Sequence, residues 1–172
     1  MDIEQACQNI EMILSDVDGV LTDGNLIFDN QGIESKRFHT RDGLGIKLWQ
    51  RAGHKFGILT ARSSQIVRTR AAELGIEIVR QGFEKKLPVA REVIRGAGLE
   101  PQQVCYIGDD LPDLAVMNYV GLGVAVADAA GDVRAAADFV SDLNGGAGAV
   151  RDVIEFILKA KNSWDDLLKT YE

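Results

Sequence analysis

The sequence predicts an α/β fold: a Rossmann-like parallel sheet with helices on both faces and a projecting β-hairpin. Three observations carry that prediction. Short apolar runs alternate with helical patterns along most of the 172 residues, as strand–helix–strand crossovers require. Gly53, Gly75 and Gly98 each follow a helical stretch, where a C-terminal cap is needed. Several apolar runs end in side chains that can do chemistry, and the carboxyl edge of an open parallel sheet is where ligands bind.

In chain order, Ile10–Ser15 is an apolar run that reads as a strand buried on both faces. Residues 24–38 break the rhythm. Asn25–Phe28 and Ser35–Phe38 flank the turn Asp29-Asn30-Gln31-Gly32, which predicts a hairpin standing off the sheet. Leu44–Arg51 reads as a helix, Lys55–Thr60 as the second sheet strand and Ser63–Leu74 as the next helix. The pattern repeats with strand Ile76–Arg80, helix Lys86–Gly96, strand Val104–Gly108 and helix Leu111–Val120. Strand Gly123–Val126, helix Ala129–Ala136 and the short strand Phe139–Val140 complete the sheet. Helix Ala149–Ala160 precedes a polar tail over residues 162–172. With no internal repeat, the expectation is one domain over residues 1–172.

The formal net charge of −7 argues against a general binder of nucleic acid or anionic membrane. It leaves room for an anionic substrate recruited by a local group of Lys and Arg. Cys7 and Cys105 are too few and too far apart for a disulfide framework or a thiolate zinc site, which fits a reducing cytoplasm. No apolar stretch approaches a membrane span, and the start Met1-Asp2-Ile3-Glu4 lacks the basic region of a signal peptide.

Four features fall at ends of predicted strands: Asp16 and Asp18, then Thr60, then Lys86, then Asp109, Asp110 and Asp113. Paired carboxylates at a sheet edge repel each other and resist desolvation unless a cation or proton sits between them. A hydroxyl, a lysine and two carboxylate groups are what phosphoryl transfer needs around Mg²⁺. Singly, each has a plainer explanation. Asp and Gly are turn residues, Thr60 could cap a helix, and a lone lysine is usually solvated. Their joint order is the signal. Competing motifs fail: there is no GxxxxGK[ST] loop, Cys105 has Leu111 six residues on, and the glycines of Gly121–Val126 begin a strand.

This order resembles the haloacid dehalogenase superfamily of phosphohydrolases, whose motifs are a DxDG loop, a Thr or Ser, a Lys and a GDD-type loop. The chain carries all four across Ile10–Val126. Further stretches are similar to the family of 3-deoxy-D-manno-octulosonate 8-phosphate phosphatases. They are FxxxDGxGI (Phe38, Asp42, Gly43, Gly45, Ile46), TxR (Thr60, Arg62), LGI…QGxxxK (Leu74–Lys86), GDDxxD, VAVADA (Val124–Ala129) and GGxGAVR (Gly145–Arg151). The resemblance implies a Mg²⁺-dependent phosphomonoesterase acting on a sugar-acid phosphate in lipopolysaccharide biosynthesis. Asp16 would be the nucleophile and Asp18 the general acid/base, with Thr60 and Lys86 on the phosphoryl oxygens. The metal ligands would be Asp16, Asp109 and the backbone carbonyl of Asp18. Substrate contacts would come from His39, Thr40, Arg41, Asp42, Gly43, Lys47, Arg62, Arg70 and Lys86.

Two positions depart from the pattern. Lys47 stands where Arg is expected and lacks its planar fork, and Ala147 stands where GGRGAVR carries Arg. Alternatives of the same class are sialic-acid-type 9-phosphate phosphatases; of another class, a non-catalytic regulatory or assembly domain of sugar-nucleotide synthesis. A receiver-like signalling domain fits less well, since DxDG ends the first strand. Residues 19–59 and 61–85 are too short to hold an inserted cap domain. Desolvation must then come from elsewhere, so the hairpin's Leu26, Phe28, Ile33 and Phe38 predict a homotetramer, as in the resembled family, with each site completed by a neighbour. The tail 162–172 is expected to help reach an adjacent subunit.

Overall fold

The computed structural model describes residues 2–171. Its elements in chain order are α1 (Ile3–Asn9), β1 (Met12–Ser15), β2 (Ile27–Phe28), β3 (Glu34–Ser35), α2 (Thr40–Arg51), β4 (Lys55–Thr60), α3 (Gln65–Glu73) and β5 (Ile78–Gln81). There follow α4 (Lys86–Gly96), β6 (Val104–Gly108), α5 (Leu114–Met117), β7 (Leu122–Ala125), α6 (Gly131–Ala136), β8 (Phe139–Val140), α7 (Ala149–Ala160) and α8 (Trp164–Leu168).

The main sheet runs β5-β4-β1-β6-β7-β8, and every pairing in it is parallel. The central strands read as uninterrupted apolar runs because helices cover both of their faces: β1, β6 and β7 are buried at every residue. The chain winds outward from β1 through β4 to β5, then returns to the other side of β1 at β6. The winding therefore reverses between β1 and β6, and a crevice opens beyond their carboxyl ends. Ser15 pairs with Ile107 and Ile58, so residues 16, 60 and 109 emerge within one residue of the same level.

The hairpin is a separate two-stranded sheet, shorter than expected, with Ile27 opposite Ser35 and Phe28 opposite Glu34. The Asp29 side chain closes its turn by accepting from the amides of Gln31 and Ile33. The expected helix Leu111–Val120 is a single 3₁₀ turn, Leu111–Asp113, followed by the short α5. Residues 162–171 pack against their own protomer. Trp164 is buried, and the guanidinium of Arg151 and the ammonium of Lys159 on α7 lie over its ring. The Tyr171 hydroxyl accepts from Arg51 on α2 at 3.0 Å. An aromatic clamp holds the tail to its own protomer; Glu172, which the expectation included, lies outside the described residues. No described helix is long and apolar enough to cross a membrane.

Candidate active site

Asp16 follows β1 directly, and its amide donates to Ile107 on β6 at 3.0 Å, which pins the loop to the switch point. One carboxylate oxygen accepts from the Val17 amide at 2.7 Å and the other from Lys86 Nζ at 2.6 Å. Lys86 opens α4 and is 2 % exposed; it reaches Asp113 at 2.6 Å as well. Burial alone would lower the Lys86 pKa, but Asp16 and Asp113 raise it, so the ammonium stays charged.

Three carboxylates crowd this one ammonium. Asp16, Asp109 and Asp113 each bring an oxygen within 4.8 Å of the others. Burial, then Asp113, push Asp16 above the usual carboxylate range against the pull of Lys86. Burial, then Asp113 and Asp16, push Asp109 up to about 8. Asp109 Oδ1 is buried without a hydrogen-bond partner. A cluster short of positive charge, all oxygen, with an orphaned acceptor aimed inward, fits a hard divalent cation such as Mg²⁺.

Asp113 has its hands full. Its Oδ1 accepts from Lys86 and from the Tyr106 hydroxyl, each at 2.6 Å, and its Oδ2 accepts from the amides of Asp109 and Asp110. We therefore assign it to orienting Lys86 and the 109–110 loop, leaving Asp16 and Asp109 with free lone pairs. Asp110 caps the 3₁₀ turn through the Leu111 amide. Gly19, at φ +89°, is required here: a Cβ would meet Asp109 Oδ2 at 2.0 Å. Gly145 is required too, since its Cβ would lie 1.8 Å from the Gly19 carbonyl oxygen, so loop 145–146 buttresses loop 16–23.

A cleft of about 300 Å³ is lined by Asp16, Asp18, Thr60, Arg62, Lys86 and Asp109, together with Gly24 and Leu26 from the hairpin side. A larger cavity of about 660 Å³ surrounds the starts of β4 and β5, away from all of these. Asp18 is partly exposed, and its carboxylate meets Lys36 on one oxygen and Arg62 Nε at 3.8 Å on the other.

The remaining predicted contacts lie outside this cleft. His39 caps α2 by accepting from the Arg41 amide, Thr40, Arg41 and Lys47 are exposed on α2, and Gly43 is buried against Arg70. Arg70 pairs with Glu73 at 2.8 Å and sits over the Phe38 ring. Asp42 is 2 % exposed and accepts from the Arg151 amide in the first turn of α7. Ala147 is exposed. Sequence reasoning missed Glu34, Lys36 and Tyr106, and left Asp113 without a role. Glu34, Lys36 and Phe38 alternate with the exposed Ser35 and Arg37, a period-two signal of an inward face.

Residues 69–154 match the haloacid dehalogenase-like hydrolase family model. The chain is 40% identical over 165 residues to the 3-deoxy-D-manno-octulosonate 8-phosphate phosphatase KdsC of Escherichia coli, covering 96% of this chain and 88% of that protein. It is 42% identical over 159 residues to the same-named protein of Haemophilus influenzae, covering 92% and 88%. Among solved structures, the 3-deoxy-D-manno-octulosonate 8-phosphate phosphatase of Moraxella catarrhalis, in complex with magnesium, phosphate and KDO, superposes with a TM-score of 0.97. That match has 40% identity and covers 99% of this chain and 98% of the other.

Proposed function

Because the chain belongs to the haloacid dehalogenase-like hydrolases, we propose that it is the phosphatase that cleaves 3-deoxy-D-manno-octulosonate 8-phosphate to the free sugar acid and phosphate. The observation that carries this reading is the meeting of Asp16, Lys86 and Asp109 at the β1/β6 switch point. Relatives of that name span nearly the whole chain, which favours the 8-phosphate over the longer 9-phosphate sugar acids. The intact cluster speaks against a non-catalytic assembly domain.

Asp16, Asp109 and the Asp18 backbone carbonyl would hold Mg²⁺, which when bound neutralises phosphoryl charge. Lys86 and the Thr60 hydroxyl bind the remaining phosphoryl oxygens. Asp16 attacks phosphorus as the bond to the sugar oxygen breaks, and Asp18 gives that oxygen a proton. Asp18 then takes a proton from water, which attacks the aspartyl-phosphate and frees Asp16. Arg62, which lines the cleft, would receive the sugar carboxylate. In this reading residues 1–172 form one catalytic domain, the chain works in the cytoplasm, with Cys7 and Cys105 both unpaired and buried, and its exposed hairpin assembles a homotetramer. His39, Thr40, Arg41, Asp42, Gly43, Lys47 and Arg70 would then act around the substrate from the subunit interface or by supporting the α2 surface.

The test is phosphate release across sugar phosphates with and without Mg²⁺. The 8-phosphate sugar acid should be the best substrate, with no turnover after chelation. Asp16→Asn should fold as the parent and turn over nothing, since an amide is a poor nucleophile; a tenth of the activity retained would refute the assignment.

A further inference from the structure

Lys36, just past β3, has a side chain only 1 % exposed. Its ammonium donates to Asp18 Oδ1 and lies 3.3 Å from Glu34 Oε1. Glu34 Oε1 also accepts from Arg62 Nη2 at 2.8 Å, and Arg62 Nε lies 3.8 Å from Asp18 Oδ2. Two acids and two bases alternate around a closed ring that joins the hairpin, the 16–23 loop and the end of β4. Burying an ammonium is costly unless carboxylates meet it, so Asp18 and Glu34 are both needed to keep Lys36 inside.

We propose that Lys36 is the positioning residue for Asp18, held in place by Glu34; this rests on Asp18 being the acid/base of the phosphatase reaction. A general acid must stay within hydrogen-bond reach of the leaving oxygen while the bond to phosphorus breaks. Asp18 is 17 % exposed and, unanchored, is free to rotate toward solvent or collapse onto Arg62. Lys36 fixes one oxygen and leaves the other, on the Arg62 side, to carry the proton to the sugar. The anchor comes from the hairpin, so hairpin order is built into the acid step.

Leaving-group chemistry separates this role from a merely structural one. A sugar alkoxide needs the proton as it departs, whereas a nitrophenolate leaves without it. Comparison of kcat/KM isolates the step that phosphorylates Asp16, so the later base role of Asp18 drops out. Lys36→Met should lower kcat/KM for the sugar-acid phosphate by about 10² or more, toward the range of a lost general acid. For p-nitrophenyl phosphate it should lower it less than about tenfold. Asp18→Asn should give the same split, and adding Lys36→Met to it should cost the sugar substrate nothing further. Lys36→Arg should restore part of the loss. Glu34→Gln, which keeps Lys36 but weakens its hold, should give a smaller split of the same sign, and it carries the test should Lys36→Met fold poorly. Equal losses on both esters in the Lys36 and Glu34 variants, with the split intact in Asp18→Asn, overturn this inference alone. Equal losses in Asp18→Asn itself, or no phosphate release by the parent, overturn the catalytic reading with it.

Discussion

At the scale of single residues, the site is a charge imbalance held in place by packing. Asp109 shares its corner with Asp16 and Asp113, and among the described residues Lys86 is the cation that answers them. Its pKa of about 8 lies far above the ordinary value of 3.8, so the fold favours its protonated form. The sign follows. The stability Asp109 contributes is fully present below pH 3.8 and is lost as pH rises through about 8, where the ionised carboxylate is left facing its neighbours. A divalent cation must displace that proton below pH 8 and meets a ready carboxylate above it. Magnesium affinity should therefore rise with pH up to about 8 and then level off. The Mg²⁺-induced gain in Tm should be larger near pH 9 than near pH 6, with about one proton released per ion bound at the lower pH. Asp109→Asn should bind weakly at every pH. Calorimetry in buffers of different ionisation enthalpy would read the released proton, and a flat affinity across that range would exclude the arrangement. Asp16, Asp18, Thr60, Lys86 and Asp109 were legible in the sequence because each ends or follows a strand whose apolar run is plain. Tyr106 was not, since in a buried strand it reads as one more apolar residue, and its hydroxyl gains meaning only from Asp113 on the neighbouring turn.

Among the elements, α2 and α7 pack directly against each other. Asp42 enters from the first turn of α2 and reaches the open amino end of α7, accepting from Arg151 at 2.8 Å. The amides of Gly148 and Val150 face the same carboxylate, and α7 has no side-chain cap of its own. Asp42 thus caps a helix that is distant in sequence. Asp42→Ala should lower stability by about 1–3 kcal/mol, the cost of stranding buried donors, and Asp42→Asn by less. Both are measurable by denaturant unfolding, with KM for small phosphate esters little changed. A raised KM for the sugar acid with unaltered stability would assign Asp42 to the substrate instead. This contact also explains what the pattern concealed. The sequence put the start of α2 at Leu44, because Gly43 and Gly45 are poor helix formers, yet the helix begins at Thr40. His39 is an unusual cap, and Asp42 adds a tertiary anchor. Helices α1 and α8 escaped notice for a related reason: at seven and five residues they are too short to hold by propensity, and burial of Cys7 and Trp164 holds them. The strands of the main sheet were legible to within two residues, since burial on both faces at its centre leaves little freedom of composition.

On the scale of the whole molecule, the fold leaves one feature unsupported. Its catalytic cleft is open, residues 19–59 and 61–85 hold no inserted cap, and the hairpin rises beside the cleft on two-residue strands. Leu26, Ile27, Phe28 and Ile33 on that hairpin are 40–58% exposed. A two-stranded ribbon is marginal alone in water, and apolar side chains gathered on one projection mark an interface. Its foot is tied down by Lys36 to Asp18, by Glu34 to Arg62 at 2.8 Å and by Arg37 to Asp23 at 2.8 Å. Pairing of hairpins between copies under closed rotational symmetry would bury the exposed row in every subunit and exclude water from the clefts. Phe28→Asp should break this assembly, since a carboxylate buried without a partner costs more than the apolar contact returned. Sedimentation equilibrium at micromolar protein should register a tetramer for the parent and smaller species for the variant. A fully active monomeric parent would sink the idea. The catalytic losses should not be uniform: with the hairpin loosened, Lys36 no longer holds Asp18, so the sugar-acid phosphate should lose more kcat/KM than the nitrophenyl ester. Assembly and the acid step would then fail together because one ribbon serves both, with its tip facing a neighbouring copy and its foot facing the proton donor.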